Sequence, residues 1–163
     1  MSTIRVTING DHHEAEVEPR LTLADFIREE AGLKGTHLAC EHGFCGNCNV
    51  LLDGQAVRSC LMLAVQADGQ RVVTVEGLSP AAGLSALQQA FKSHHALQCG
   101  FCTPGFLVSA HALLQEEPTP SRERIVETLS GNLCRCTGYI PIVDAVEAVA
   151  RRRRAGDDGA AST

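Results

Sequence analysis

The sequence predicts an α+β protein whose first half is β-rich and whose second half is entirely helical. Up to about residue 76, short apolar runs alternate with polar residues and are separated by Asn-Gly and Asp-Gly turns, which is typical of antiparallel strands. After residue 83, apolar residues recur at helical spacing. The stretch 77–83 between them contains Pro80 and small residues, and it is predicted to be a linker.

A hairpin and a helix come first. Ile4, Val6 and Ile8 alternate with polar residues before an Asn-Gly turn, and a second strand is predicted to follow that turn. Thr22 is predicted to cap a helix, because Asp25 stands three positions later and apolar residues follow on one helical face. This helix is the only one predicted in the first half.

Further strands complete the first half. The segment 50–57 is predicted to be a hairpin around Asp53-Gly54, and Leu61–Val65 and Val72–Val75 are predicted to be two more strands around Asp68-Gly69. Several short strands with one helix are the content of a β-grasp fold. We therefore assign residues 1–76 to a β-grasp domain.

The second half is predicted to contain four helices. Leu84 and Phe91 share a face of the first, and Thr103 is predicted to cap the second, with Pro104 at its first position. The fourth is predicted to begin at about Pro141. Helices of this length favour a compact all-α four-helix bundle.

These elements predict a division into four parts. A β-grasp domain spans 1–76, a linker 77–83, a helical domain 84–154 and a disordered tail 155–163. The tail is assigned from its small and acidic residues.

The eight cysteines form two quartets, with none left over. The first quartet is Cys40, Cys45, Cys48 and Cys60, and the second is Cys99, Cys102, Cys134 and Cys136. The first has the C-x4-C-x2-C…C spacing that holds one [2Fe–2S] cluster in plant-type ferredoxins. Gly43 and Gly46 would let the loop wrap closely around inorganic sulfur. The β-grasp domain is thus predicted to be ferredoxin-like.

Zinc and disulfides are the alternatives to iron–sulfur clusters. In the first quartet only Cys45 and Cys48 have the spacing of a zinc knuckle. The second quartet is less diagnostic, since a C-x2-C with a distant C-x-C could also bind zinc. Disulfides would need an oxidising compartment, which no sequence feature indicates.

Composition and the absence of other motifs exclude several functions. The net charge of −5 makes no general case for binding nucleic acid, and a solvated helix end is the favoured interpretation of the basic run 151–154. No Sec or twin-arginine signal and no apolar run of membrane-spanning length is visible, so a cytoplasmic location without a membrane span is predicted. A P-loop, a dinucleotide fingerprint and a nucleophile elbow are also missing, so no catalytic residue is assigned.

Three strings of residues carry a resemblance to a known family. They are CEHGFCGNC at 40–48, QCGFCTPG at 98–105 and GNLCRCTGY at 131–139. In order and separation they closely resemble the small iron–sulfur subunit of the xanthine dehydrogenase family of molybdenum hydroxylases, over about residues 3–153. Asn47 and Asn49 stand where the family usually has Ala and Thr, and Ile140-Pro141 where it commonly has a polar pair.

The resemblance implies an electron-transfer subunit of a multi-subunit molybdenum-dependent oxidoreductase, with two [2Fe–2S] clusters held by the eight cysteines. A large subunit would carry a molybdenum–pterin cofactor, in its cytosine dinucleotide form, and a medium subunit would carry FAD. Gln98 and Cys136 match positions that contact the pterin in relatives. Electrons would pass from molybdenum to the second cluster, then to the first, then to FAD or another acceptor. Heterotrimers of this kind could assemble further as dimers.

Two other functions remain open from the residues alone. One is a free-standing two-cluster ferredoxin; against it, Gln98 and the helical motif would have no purpose without a nearby pterin. The other is an interaction module stabilised by zinc, which metal analysis would distinguish at once.

Overall fold

The computed structural model describes residues 1–156 and shows an α+β protein. Its strands are β1 Ser2–Ile8, β2 Asp11–Val17, β3 Asn49–Leu52, β4 Gln55–Arg58 and β5 Arg71–Val73. Its helices are α1 Leu23–Asp25, which continues as a π-helical turn Phe26–Glu30, α2 Ala86–Ser93, α3 Thr103–Glu116, α4 Arg122–Leu129 and α5 Ile140–Arg154. The predicted disordered tail falls mostly on residues 157–163, outside the described part of the chain.

The strands form one mixed sheet in the order β2-β1-β5-β3-β4. β1 pairs antiparallel with β2 and parallel with β5, and β3 lies antiparallel to both β4 and β5. Alternation in β1 places Ile4, Val6 and Ile8 in the core, where each is at most 2% exposed. The two predicted hairpins, β1–β2 and β3–β4, are therefore present.

The strand predicted at Leu61–Val65 is wrong. Leu61 instead ends one 3-10 turn, Ser59–Leu61, and Ala64 begins another, Ala64–Ala67, while Leu63 between them forms only an isolated antiparallel bridge with Thr22. Backbone groups of this segment pair with the chain around α1: Leu23 N donates to Met62 O, and Ala64 N donates to Leu21 O, both at 2.8 Å. Because these distant partners satisfy the backbone, the segment does not join the sheet.

The cap of the first helix is as predicted, but two later helix starts differ. Thr22 Oγ1 accepts from Asp25 N at 3.0 Å. Leu84 lies before α2, because Ser85 is the N-cap in a capping box and the helix begins at the next residue, Ala86. Thr103 is the first helical residue of α3 rather than its cap; Cys102 occupies the cap without a side-chain hydrogen bond.

Four α-helices lie in the second half, and they share a core with the sheet. α2 and α4 each pack on α5, and α3 packs on α4 and on strand β3. Leu51 of β3 and Leu78 of the predicted linker both belong to this helical core. The two halves of the chain are thus joined by packing as well as by the linker.

The arginines that end α5 also hold this helix in place. Arg153 Nη1 donates to Leu114 O at 2.6 Å, and Arg154 Nη2 donates to Thr119 O at 3.1 Å. Both acceptors lie at or just after the C-terminal end of α3.

None of the described helices is long and apolar enough to cross a lipid bilayer.

Candidate metal centres

The first quartet converges between β3, β4 and the loop that precedes them. Cys45, Cys48 and Cys60 are buried, at 5%, 2% and 8% exposure, and Cys40 is half-buried. Cys45 N lies 3.4 Å from Cys40 Sγ, and Cys48 and Cys60 pack together in one buried cluster. The structure therefore brings together all four cysteines predicted for the first site.

Backbone donors make part of this loop a good environment for negative sulfur. Burial raises the pKa of the Cys40 thiol, but N–H groups of Cys45, His42 and Phe44 more than offset it and lower the pKa to about 6. Burial, followed by the neighbouring Cys48, raises the pKa of Cys60 to about 11. Four thiolates at this site therefore repel one another unless cations compensate their charge.

Two glycines give the loop its close turns. Gly43 has φ +80°, and a Cβ there would collide with the Leu61 side chain. Gly46 has φ +72°, and a Cβ there would lie 2.8 Å from Gly131 O in the second half. The positive φ and the crowding together require glycine at both positions, as the sequence predicted.

The second quartet lies where two turns of the helical half meet. Cys99 and Cys102 precede α3, while Cys134 and Cys136 lie between α4 and α5. Cys99 Sγ and Cys136 Sγ are 3.6 Å apart and exposed. Cys102 and Cys134 are buried in the same helical core, and each lies close enough to affect the pKa of the other. The structure thus brings the four predicted residues of the second site together as two pairs.

Thr137 and Tyr139, which the sequence does not predict as site residues, support the buried pair. Burial raises the pKa of Cys134, but the Thr137 hydroxyl, 3.1 Å from its sulfur, and backbone N–H groups lower it overall. Cys134 N donates to the Tyr139 hydroxyl at 3.0 Å. Tyr139 adopts φ +70°, which is rare for a bulky residue. This backbone angle is visible only in the structure, so it could not have identified Tyr139 from the sequence.

The pKa of Cys102 shifts in the opposite direction from that of Cys134. Burial, followed by the neighbouring Cys134 thiol, raises the pKa of Cys102 to about 12. Without a metal this thiol is therefore protonated at neutral pH. Binding of a metal group here would release that proton, since thiolate is the ligand form.

The paired arrangement fits a two-iron cluster better than a single ion. Among residues 1–156, no group of three or more His, Cys, Asp or Glu side chains converges as a one-ion site requires. A structural zinc needs four ligands around one centre, whereas a [2Fe–2S] cluster spreads four thiolates over two irons. Both sites offer only thiolate donors. At both sites the backbone also runs close to the sulfurs and turns at glycines, which suits such a cluster.

Gln98 and Cys136, predicted to contact a pterin, lie on the surface at the second site. Gln98 is exposed beside Cys99, whose sulfur is next to that of Cys136. The structure therefore leaves both residues accessible to another molecule.

Direct contacts connect the two sites. Leu133 N, beside Cys134, donates to Cys45 O in the first loop at 2.8 Å. His37, three positions before Cys40, donates to Phe101 O at 2.7 Å and stacks on the Phe101 ring at 4.8 Å. The two cysteine loops are thus adjacent although they belong to different halves of the chain.

A polar network also lies between the loops. It consists of Gly43, Gly46, Asn49, Arg58, Ser109, Gly131 and Asn132. From the sequence, Asn49 stands out only as a departure from the family and Asn132 only as part of the GNLCRCTGY string, whereas Arg58 and Ser109 carry no recognisable signal.

Comparisons with known proteins identify both halves. A family described as "2Fe-2S iron-sulfur cluster binding domain" matches residues 6–85, and one described as "[2Fe-2S] binding domain" matches residues 74–147. Each half therefore matches a domain that binds this cluster. The alternative of a zinc-stabilised module is wrong.

Several relatives cover nearly the whole chain. The nicotine 6-hydroxylase small subunit of Paenarthrobacter nicotinovorans is 59% identical over 143 residues, which cover 88% of this chain and 86% of the relative. Caffeine dehydrogenase subunit gamma of Pseudomonas sp. (strain CBB1) is 51% identical over 149 residues, covering 90% and 89%. Both names describe one subunit of a larger protein.

Solved structures share the fold. A chain of quinoline 2-oxidoreductase from Pseudomonas putida 86 superposes with a TM-score of 0.90 at 55% identity, over 95% of this chain and 97% of that one. Aldehyde oxidoreductase from Desulfovibrio gigas also superposes with a TM-score of 0.90, at 41% identity, but the match covers only 18% of its length. In that protein the same architecture is one segment of a longer chain.

Proposed function

The chain belongs to the family of small iron–sulfur subunits of the molybdenum hydroxylases related to xanthine dehydrogenase, and we propose that it relays single electrons from a molybdenum–pterin site to FAD or another acceptor. It is an electron-transfer subunit of an oxidoreductase. Because relatives that match most of the chain are named as subunits, the alternative of a free-standing two-cluster ferredoxin is set aside.

The observation that carries the proposal is the direct contact between the two loops that carry the cysteine quartets. Cys40, Cys45, Cys48 and Cys60 would hold one [2Fe–2S] cluster, and Cys99, Cys102, Cys134 and Cys136 the other. Each cluster, when bound, accepts and releases one electron. The hydrogen bond from Leu133 N to Cys45 O then gives a short connection between the two sites.

The chain's own residues position and insulate these sites. Burial shields five of the eight cysteines from water, namely Cys45, Cys48, Cys60, Cys102 and Cys134. Backbone N–H groups and Thr137 donate hydrogen bonds to thiolates. Such donors stabilise negative charge on sulfur and tune the reduction potential. The substrate chemistry would lie in partner subunits, since cofactors carry the hard redox chemistry.

The exposed end of the second site supports a place for the molybdenum-bearing large subunit. Gln98, Cys99 and Cys136 are exposed there, and Phe101 and Leu133 beside them are 44% and 48% exposed. Exposed apolar residues around a polar contact are typical of an interface. We infer that Gln98 and Cys136 contact the pterin, in its cytosine dinucleotide form.

A second apolar patch supports a place for the FAD-bearing medium subunit. Phe44, inside the first cysteine loop, is 71% exposed, and Leu61, next to Cys60, is 61% exposed. Electrons would thus enter at the second site and leave from the first. We further propose that such heterotrimers pair into dimers and that the complex is cytoplasmic.

The finer description of the fold belongs to the same proposal. We assign residues 1–76 to a β-grasp domain, 77–83 to a linker and 84–154 to a four-helix bundle. The mixed sheet with one short helix supports the first assignment, and the four helices of the second half support the last. The two family matches overlap at residues 74–85, which include the proposed linker.

Cys45→Ser tests the order of the centres in the assembled complex. Under substrate, molybdenum should still be reduced while electron delivery to flavin is blocked, because the variant lacks one ligand of the first cluster. Asn47→Ala is the matched control, since it restores the residue usual in the family two positions away and removes no ligand. Unimpaired flavin reduction in Cys45→Ser, measured by rapid-mixing absorbance, would contradict the proposed order.

A further inference from the structure

Arg58, the last residue of β4, lies between the two cysteine loops. Its Nε donates to Gly43 O at 3.1 Å, and its Nη2 donates to Gly131 O at 2.5 Å. Gly43 lies between two cysteines of the first quartet, and Gly131 lies three residues before Cys134 of the second. One guanidinium therefore holds the backbone of both loops.

A third contact joins Arg58 to a buried network. Its Nη1 donates to Asn49 Oδ1 at 2.5 Å, and Asn49 Nδ2 donates to Ser109 Oγ of α3 at 2.7 Å. Ser109 Oγ donates to Asn132 Oδ1 at 2.8 Å, and Asn132 Nδ2 donates back to Gly46 O at 3.1 Å. The network therefore begins and ends on the first cysteine loop and passes through the second half of the chain.

Burial makes this network sensitive to the loss of a member. Asn49, Ser109 and Asn132 are 2%, 6% and 3% exposed. In such surroundings an unpaired polar group is costly, whereas a satisfied network rigidifies the structure around it. Only an arginine offers a planar fork with enough donors to reach three separate acceptors at once.

In the described part of the chain, the charge of Arg58 has no acidic partner. All three of its acceptors are neutral oxygens, and within residues 1–156 no carboxylate forms an ion pair with it. Arg5, Arg71 and Arg122, in contrast, each pair with Asp or Glu. Arg58 therefore places an uncompensated positive charge between two groups of thiolates.

We propose that Arg58 is a positioning residue that sets the relative placement of the two iron–sulfur sites and favours reduction at both. The inference rests on the proposed function, since it assumes a [2Fe–2S] cluster at each quartet. Such a cluster with four thiolates is an anion and gains one negative charge on reduction. A neighbouring cation therefore stabilises the reduced form more than the oxidised form.

Two substitutions separate charge from geometry. Arg58→Met removes both the charge and the three hydrogen bonds, whereas Arg58→Lys keeps the charge but cannot span three acceptors. Arg28→Met is the matched control, because Arg28 Nη1 also donates to two backbone carbonyls, of Lys34 and Thr36, but only within the first half. The full-length chain of each is purified without air and assayed for iron.

The readouts are reduction potentials and the magnetic interaction between the two reduced clusters, both followed by paramagnetic resonance. In Arg58→Met, the ratio of reduced to oxidised cluster at a fixed potential should fall about tenfold, equal to ~59 mV for a one-electron centre. The magnetic splitting should also change. Arg58→Lys should restore the potentials but not the splitting, and Arg28→Met should change neither.

The outcomes distinguish this inference from the proposed function. Wild-type potentials and splitting in Arg58→Met would overturn the role of Arg58 while leaving two clusters in place. If Arg58→Met loses its clusters, the test is made with Arg58→Lys. Wild-type splitting in Arg58→Lys would then overturn the positioning role. A wild-type chain without about four irons would instead overturn the proposed function.

Discussion

The backbone N–H of Leu133 donates a hydrogen bond of 2.8 Å to the carbonyl oxygen of Cys45. Leu133 directly precedes one cysteine of the second quartet, and Cys45 belongs to the first. The two loops are therefore in contact through main-chain atoms, which side-chain substitutions at these positions leave in place, except for proline at position 133, which has no N–H.

Gly105→Ala should separate the two loops slightly. A Cβ at Gly105, in the first turn of α3, would collide with Gly46 O and lie 2.9 Å from Asn47 Cα. Because backbone atoms cannot move aside easily, we expect a loss of about 2 kcal/mol in the free energy of unfolding, measured with urea.

The control for this variant is Gly10→Ala. Gly10 has φ +94° but open space around it, in the turn between β1 and β2. That variant should lose about 1 kcal/mol from backbone strain alone and keep its iron. Wild-type stability in Gly105→Ala would show that the loops are not closely packed there.

Cys102→Ser and Cys48→Ser should remove different clusters. Each variant loses one buried ligand, so iron should fall from about four to about two atoms per chain, with loss of only one of two paramagnetic signals. Comparing the remaining signals identifies which quartet gives which spectrum. Loss of both signals in both variants would mean that the two sites do not form independently.

Tyr139→Phe should weaken the turn that carries Cys134. The phenol accepts from Cys134 N at 3.0 Å, and its removal leaves that N–H without this acceptor at a cost of about 1–3 kcal/mol. The ring should still pack edge-on against Phe106, at a centroid distance of 6.2 Å. We expect a lower unfolding free energy together with an altered signal from the second cluster.

Phe106→Leu provides the comparison, since it disturbs the same ring pair but leaves the hydrogen bond to Cys134. It should lower stability by about 1 kcal/mol without altering the signal of the second cluster. An unchanged spectrum in Tyr139→Phe would refute a role of the hydroxyl at that site.

His111 should make the stability of the chain fall in mild acid. Burial, and then the charge of Arg153, lowers the pKa of this α3 residue below its ordinary 6.5. Below about pH 6.5 the unfolded chain therefore binds more protons than the folded one, and the free energy of unfolding decreases as the pH falls.

Urea unfolding at pH 7.5 and 5.5 measures this dependence. His111→Gln should reduce the difference between the two pH values, while His94→Gln, at an exposed position after α2, should leave it unchanged. If His111→Gln shows the same pH dependence of the unfolding free energy as the wild type, groups other than His111 cause that dependence.

Much of the fold could be predicted because its signals are local. The hairpin at Asn9-Gly10, the cap at Thr22 and the start of α5 near Pro141 each depend on residues within a few positions, and the structure shows each of them. The strand predicted at Leu61–Val65 failed for the opposite reason. Its backbone partners, Leu21 and Leu23, lie about forty positions away, and no local pattern encodes them.

The sequence by itself determined how many sulfur ligands the chain offers and how they are grouped, because the spacing of ligands along a loop is a property of neighbouring residues. It also determined the change from strands to helices, because periodicity is local. Only the tertiary structure decided that the two cysteine loops touch, and that Arg58, Ser109 and Asn132 connect them. These residues come from β4, α3 and the turn after α4, so their meeting depends on how distant elements pack.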